Sequence, residues 1–308
     1  MENTNVLKEI VTFNEKEKNK TVDALVDSID NGEHNDVDII LQDGVIRASK
    51  LILSSRLEYF EKTFDKKSQF QEQKENSVKF PCKKVVMRKI LEHLYGGRLD
   101  FTGLSYVEIM ELEEMLRFLL LQDAQKELQK FLVSQIHCNK IPVPECLDAV
   151  EVAMSFNLSK SKAYLTFYFV LRLDILVTDH LEVVQNMSEE IFLSVISCIE
   201  HFGKKRVGYS KNSWQYQRVG YIKELDKLKF VNHWIAFNKS RSQSEESESY
   251  FFKMIHNGYF DLTKFTVNQL LGEVRNSKLF SDEEISAAVN YLHNLVADEN
   301  RLLKQKAS

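Results

Sequence analysis

The side chains best suited to acid–base, nucleophilic or metal chemistry are scattered. His93, His137, His180, His201, His233 and His256 fall on helical patterns, none at a recognisable spacing from a nucleophile or an acid. Histidines so placed are solvated or sit at a core edge. His137, Cys138 and Cys146 do not form the two close ligand pairs of a closed zinc site. Gly96-Gly97 lacks the Lys and Ser/Thr of a phosphate-cradling loop and reads as a helix stop. Lys204-Lys205-Arg206 with Tyr209, Trp214 and Tyr216 is a short basic–aromatic cluster. Lys plus Arg number 41 against 45 Asp plus Glu, so no basic field supports it as a nucleic-acid contact. Ser242, Ser244 and Ser247 lie among glutamates, where an acid-directed kinase could act, but the stretch reads as a solvated linker. No catalytic, cofactor-binding or metal-ligating residue is expected, and neither a nucleic acid nor a membrane as partner.

Recognition is better represented than reaction. Phe70-Gln71-Glu72 places an aromatic inside an otherwise polar stretch from Asp65 to Asn76, the pattern of an anchor residue beside an acid, or, more plainly, of a ring covering the local core beside a solvated acid. Asp36 and Lys50 bring opposite charges to either side of a hairpin, which reads most simply as a fold-stabilising pair.

The elements that hold these residues are mostly helical. Gly (10) and Pro (3) are scarce among 308 residues, which disfavours a loop-rich β architecture, and the length suits about two domains. Residues 1–19 form a polar leader with no apolar run of signal-peptide length. The most apolar stretch, Tyr164 to Val177, is broken by Arg172 and Asp174, so it is a buried helix rather than a membrane span. Four dispersed cysteines fit a reducing compartment. The expected address is the cytoplasm, with the nucleus open to it.

Val22, Leu25, Val26 and Ile29 recur at helical spacing, a narrow stripe that a short helix must bury against something. Val37, Ile39 and Leu41 alternate on one strand face, Asp43-Gly44 signals a hairpin turn, and Val45-Ile46 open the return strand. Ser49 is placed to cap the next helix, which runs toward Tyr59-Phe60. A short strand at Val78–Phe80 precedes a helix through Val86, Ile90, Leu91 and Leu94, then helices over 106–120 and 123–136. Pro142-Val-Pro144 marks a boundary. Beyond it helices are expected over 145–156, 160–177, 180–186, 188–202, 224–237, 249–257, 266–275 and 281–303, without a repeat of propeller or solenoid length. The predicted fold is mostly α with a small β-sheet: an α/β domain followed by an all-α one.

Asp36-Val37, Ala48-Ser49-Lys50, Leu53, Tyr59-Phe60, Phe64 and Tyr95-Gly96-Gly97-Arg98-Leu99 together resemble a BTB/POZ domain, here at 20–136. Ser49 departs from the family's usual His. Residues 142–303 resemble the helical BACK domain that often follows it, on PECLDAVEVAMSF, FVNHWIAFNKS and the Phe-rich turn before a Leu-rich helix. Gly203–Arg218 reads as an insertion. The resemblance implies a homodimer in which Val22, Leu25, Val26, Ile29 and Val37 meet a second copy. It implies that Phe70 and Glu72 contact a cullin, making the chain a substrate adaptor of a cullin-RING ubiquitin ligase for a target it does not name. It also implies a charged pocket at Asp36 and Lys50, as in BTB transcriptional repressors. The alternative is a BTB protein that oligomerises with relatives without binding cullin.

Overall fold

The computed structural model describes residues 20–32, 34–65, 75–204, 222–238 and 259–307. Among these residues the chain is mostly helical with one three-stranded sheet, and it parts into two compact units, Met1–Ile141 with Glu151–Ser161 and Pro142–Val150 with Lys162–Ser308.

In the first unit, helix α1 (20–27) leads into β1 (Val37–Leu41) and β2 (Gly44–Ala48). The pair is antiparallel, with Val37 opposite Ala48 and Leu41 opposite Gly44. The turn is therefore Gln42-Asp43, one residue earlier than the Asp-Gly signal suggests. Gly44 begins the return strand at φ 153°, a backbone value that side-chain-bearing residues rarely adopt. Asp43 instead accepts a 2.6 Å hydrogen bond from the backbone N–H of Lys84. It thereby serves the unpaired N–H groups at the start of a distant helix, the one that begins at Lys84. Strand alternation holds: Val37, Ile39, Leu41, Ile46 and Ala48 are buried, while Val45 faces out.

Two short helices, α2 (Lys50–Arg56) and α3 (Glu58–Phe64), follow the hairpin, and β3 (Ser77–Lys79) then joins β1 in parallel, giving the order β2-β1-β3. Helix α4 (Lys84–Gly96) packs on β2 and α2, burying Val86, Met87, Ile90, Leu91, Leu94 and Tyr95. It stops at Gly97, which takes the left-handed cap conformation at φ 68°. Helix α5 (Tyr106–Phe118) starts on a capping box between Ser105 and Glu108 and pairs with α6 (Gln122–His137).

The remaining helices are α7 (Val143–Ser155), α8 (Ser159–Leu171), α9 (Leu173–Leu176), α10 (Leu181–Asn186), α11 (Glu189–Lys204) and α12 (Glu224–Asn238). The expected helix over 160–177 is interrupted at Arg172, where φ is −113°. Neither Gly nor Pro marks that break, so nothing in the pattern announces it. In the second unit Phe192 stacks on Trp234 at 4.1 Å between ring centroids, and Trp234 Nε1 donates to the Met187 carbonyl at 3.0 Å. Helix α13 (Val267–Gln269) passes through one π turn (Leu270–Val274) into α14 (Arg275–Ser277), and α15 (Asp282–Ala307) is last. The expected helix over 249–257 lies outside the described residues.

Candidate interaction surface of the first unit

Helix α1 divides its stripe. Ile29 is 1% exposed and Val37 likewise, so both already spend their apolar surface inside their own chain. Val22 and Val26 rest on α4 at Gly96. A Cβ built there would stand 3.0 Å from Val26 Cγ2 and 3.4 Å from Val22 Cγ1. Gly96 is thus more than a helix stop: its missing side chain lets α1 approach. Leu25 alone of the stripe remains well exposed, at 38%. The turn after α1 is fixed by Asp30, whose N–H donates to the Arg47 carbonyl while its carboxylate accepts from the Arg47 N–H, both at 3.0 Å. The apolar face that α1 leaves toward solvent is Leu25 with the half-buried Val22 and Val26, narrower than the stripe read from spacing.

Asp36 and Lys50 meet, but not as two opposed charges. The Asp36 carboxylate accepts from the backbone N–H of Lys50 at 2.7 Å, at the start of α2. Ser49, expected to cap that helix, makes no side-chain cap bond. Its backbone N–H donates instead to the Tyr95 hydroxyl at 2.7 Å in a buried contact. The capping carboxylate comes from 14 residues upstream. The Lys50 ammonium turns to the other side, donating to Asn76 Oδ1 and standing 5.4 Å from the centre of the Phe64 ring.

Phe70 and Glu72 lie outside the described residues. Near the ends of that stretch, Tyr59, Phe80 and Phe118 form a ring cluster with centroids 5.5 to 6.1 Å apart. Phe118 is 53% exposed, and Leu120, held at φ 59°, is 75% exposed. These are two large apolar groups left in water, one at a backbone angle that costs energy. Sequence reasoning missed them, although Leu119-Leu120-Leu121 at a helix end was a visible signal.

A family model for the BTB/POZ domain matches residues 25–136. Those residues are a BTB/POZ domain. No curated protein matches the chain. BTB/POZ domains are interaction modules rather than enzymes as a rule. Burial pushes the Cys82 thiol up to about 12, with the Glu111 and Asp43 carboxylates adding to the effect. A thiol so placed stays protonated and unreactive. Burial holds His93 below its ordinary value, with the Glu127 carboxylate opposing. Glu113, 1% exposed, accepts from Gln129 Nε2 at 3.0 Å and from the Ser161 hydroxyl. In the second unit burial drives Cys146 well up and Cys198 to about 12. Among the described residues no group of three His, Cys, Asp or Glu side chains could hold a metal ion, and no helix is long and apolar enough to cross a membrane.

Proposed function

We propose that this chain is a protein–protein interaction scaffold without an active centre, working as a homodimer that presents a target protein to a cullin-RING ubiquitin ligase. The observation that carries it is a BTB/POZ domain at 25–136 that leaves Leu25 exposed on α1 and Phe118 and Leu120 exposed on another helix end. Leu25 supports pairing with a second copy, which would take that side chain out of water at roughly 25 cal/mol per Å². The Phe70-x-Glu72 triplet supports cullin contact, the ring entering a pocket and the acid closing its rim. The helical second half, read as a BACK domain, would set spacing and bind the target. The work done is proximity: a target held beside the ligase sees a raised effective concentration, with no reaction step on the adaptor.

Retention on an immobilised cullin N-terminal region tests this reading. The wild-type chain should be held, and a Phe70→Ala, Glu72→Ala double variant lost. Equal, poor retention of both leaves only the narrower reading, a chain that pairs with itself or with other BTB proteins. That reading needs Leu25 and makes no use of Phe70.

A further inference from the structure

Beside the α5–α6 pair lies a polar cleft of about 330 Å³, and every residue that lines it belongs to the first unit. Sites that take small ligands start at roughly that size, about 300 Å³. The buried Glu113 forms its floor, and among the described residues this carboxylate enters no ion pair and no group able to hold a metal ion. Its donors are neutral: Gln129 Nε2 at 3.0 Å and Gln125 Nε2 at 3.5 Å on Oε1, and the Ser161 hydroxyl on Oε2. A carboxylate taken out of water is ordinarily matched by an opposite charge. Glu113 Oε2 keeps a lone pair for one more donor, and each glutamine that gives its nitrogen keeps its oxygen as an acceptor. Gln122 lies on the same face of α6 at helical spacing from Gln125 and Gln129, and brings a third carboxamide to the cleft.

The cations of the walls do not match that charge. Arg117 pairs with Glu114 at 2.5 Å and donates to the Phe156 carbonyl at 2.8 Å, and Lys126 pairs with Asp123 at 2.8 Å. Lys160, exposed at the start of α8, enters none of the ion pairs among the described residues. The cleft thus sets an uncompensated anion at its floor and an uncompensated cation at its rim. Its complement carries the reverse, a cation that reaches in and an anion that stays outside. A guanidinium suits the inner position better than an ammonium, because its planar fork of N–H donors meets a carboxylate and carboxamide oxygens together. In an extended segment, residues two apart share a side. We propose that this cleft binds an arginine side chain of a partner protein that carries an acid two residues away, Glu113 taking the arginine and Lys160 the acid. The site rests neither on cullin binding nor on the α1 face.

Fluorescence anisotropy of labelled, end-blocked tripeptides titrated with the full chain, over roughly micromolar to millimolar concentrations, tests the site. The Arg-Gly-Glu peptide should bind reversibly. Replacing its arginine by citrulline, which keeps the shape and drops the charge, should weaken binding by about tenfold or more. Glu113→Gln in the chain should do the same, with circular dichroism showing the variant folded. Lys160→Glu, at an exposed position, should reverse the preference for Arg-Gly-Glu over Arg-Gly-Lys and leave the citrulline penalty in place. The citrulline and Lys160 arms need no change at Glu113, so they decide the matter even where that variant loses stability. A Glu113 that serves only to hold Ser161 predicts none of these peptide effects. Four results each overturn the proposal: no binding of Arg-Gly-Glu at millimolar chain, equal binding of the citrulline peptide, a Lys160→Glu chain that keeps the wild-type preference, or end-blocked arginine alone competing as well as the tripeptide.

Discussion

Single residues show how burial shifts the charge states of this domain. His93 is held below its ordinary value of 6.5 chiefly by burial; the nearby Arg56 pulls the same way, while Glu127 and a hydrogen bond with the Arg98 backbone push back. As pH falls through 6.5, the unfolded chain therefore takes up its proton before the folded one. The His93 contribution to stability is present above that value and is lost below it. Glu111 acts with the opposite sign. Burial raises its carboxyl above 4.5, against the pull of Lys83, so the folded chain binds that proton first and the contribution grows as pH falls. A wild-type stability profile mixes the two, and the difference from a His93→Gln variant separates them. Urea midpoints from pH 7 to about 5 should fall more steeply for wild type than for the variant. Parallel profiles would mean that His93 is no more buried in the folded chain than in the unfolded one.

Elements are held in place by polar contacts that span long stretches of chain, and this is where sequence reading reaches its limit. In the second unit the Lys227 ammonium lies 2.6 Å from Glu224 and donates to the Tyr259 carbonyl at 2.9 Å, with the Tyr259 and Phe260 rings at 5.1 and 5.6 Å. Both charged side chains are under 10% exposed. This knot ties α12 to Tyr259 and Phe260. Lys227→Met should cost about 3–5 kcal/mol in urea unfolding because it strands the Glu224 carboxylate, and adding Glu224→Gln should recover most of that. A cost under about 1 kcal/mol would show that Lys264, 3.9 Å from Glu224, already suffices. Helix and strand periodicity in the sequence placed α4, α5 and the hairpin closely, since those patterns depend on near neighbours. It did not place the α2 cap on Asp36 or the α4 cap on Asp43. Both partners lie far off in sequence, while a plausible local Ser49 stood in the cap position. The spacing of Val22, Leu25, Val26 and Ile29 gave the stripe but not its division, because only the fold brings Gly96 beneath two of the four. The Tyr59–Phe80–Phe118 cluster was illegible for the same reason.

At the scale of the whole molecule, chain order and compact unit do not coincide. Proline punctuation puts a boundary at Pro142-Val-Pro144, yet Glu151–Ser161 belongs with the first unit. One buried side chain and two hydrogen bonds explain why. Leu158 is 4% exposed, the Phe156 carbonyl accepts from Arg117 Nη2 at 2.8 Å, and the fully buried Ser161 hydroxyl donates to Glu113. Among the described residues the side-chain amides of Gln129 and Gln125 also stand beside Glu113, at 3.0 and 3.5 Å, and Ser161 adds a hydroxyl donor. A local period cannot report this, because the eleven residues read as an ordinary helix end and helix start. Hydrogen exchange on the full chain can. Leu158→Ala opens a cavity worth about 2–4 kcal/mol. The loss should fall on amides of α5 and α6, which line the cleft around Glu113, while those of α12 keep their protection. Loss in α12 alone, or equal loss in both units, would place residues 151–161 elsewhere. The first unit would then end where the prolines say it does, and the Ser161–Glu113 bond would be a contact that stability does not use.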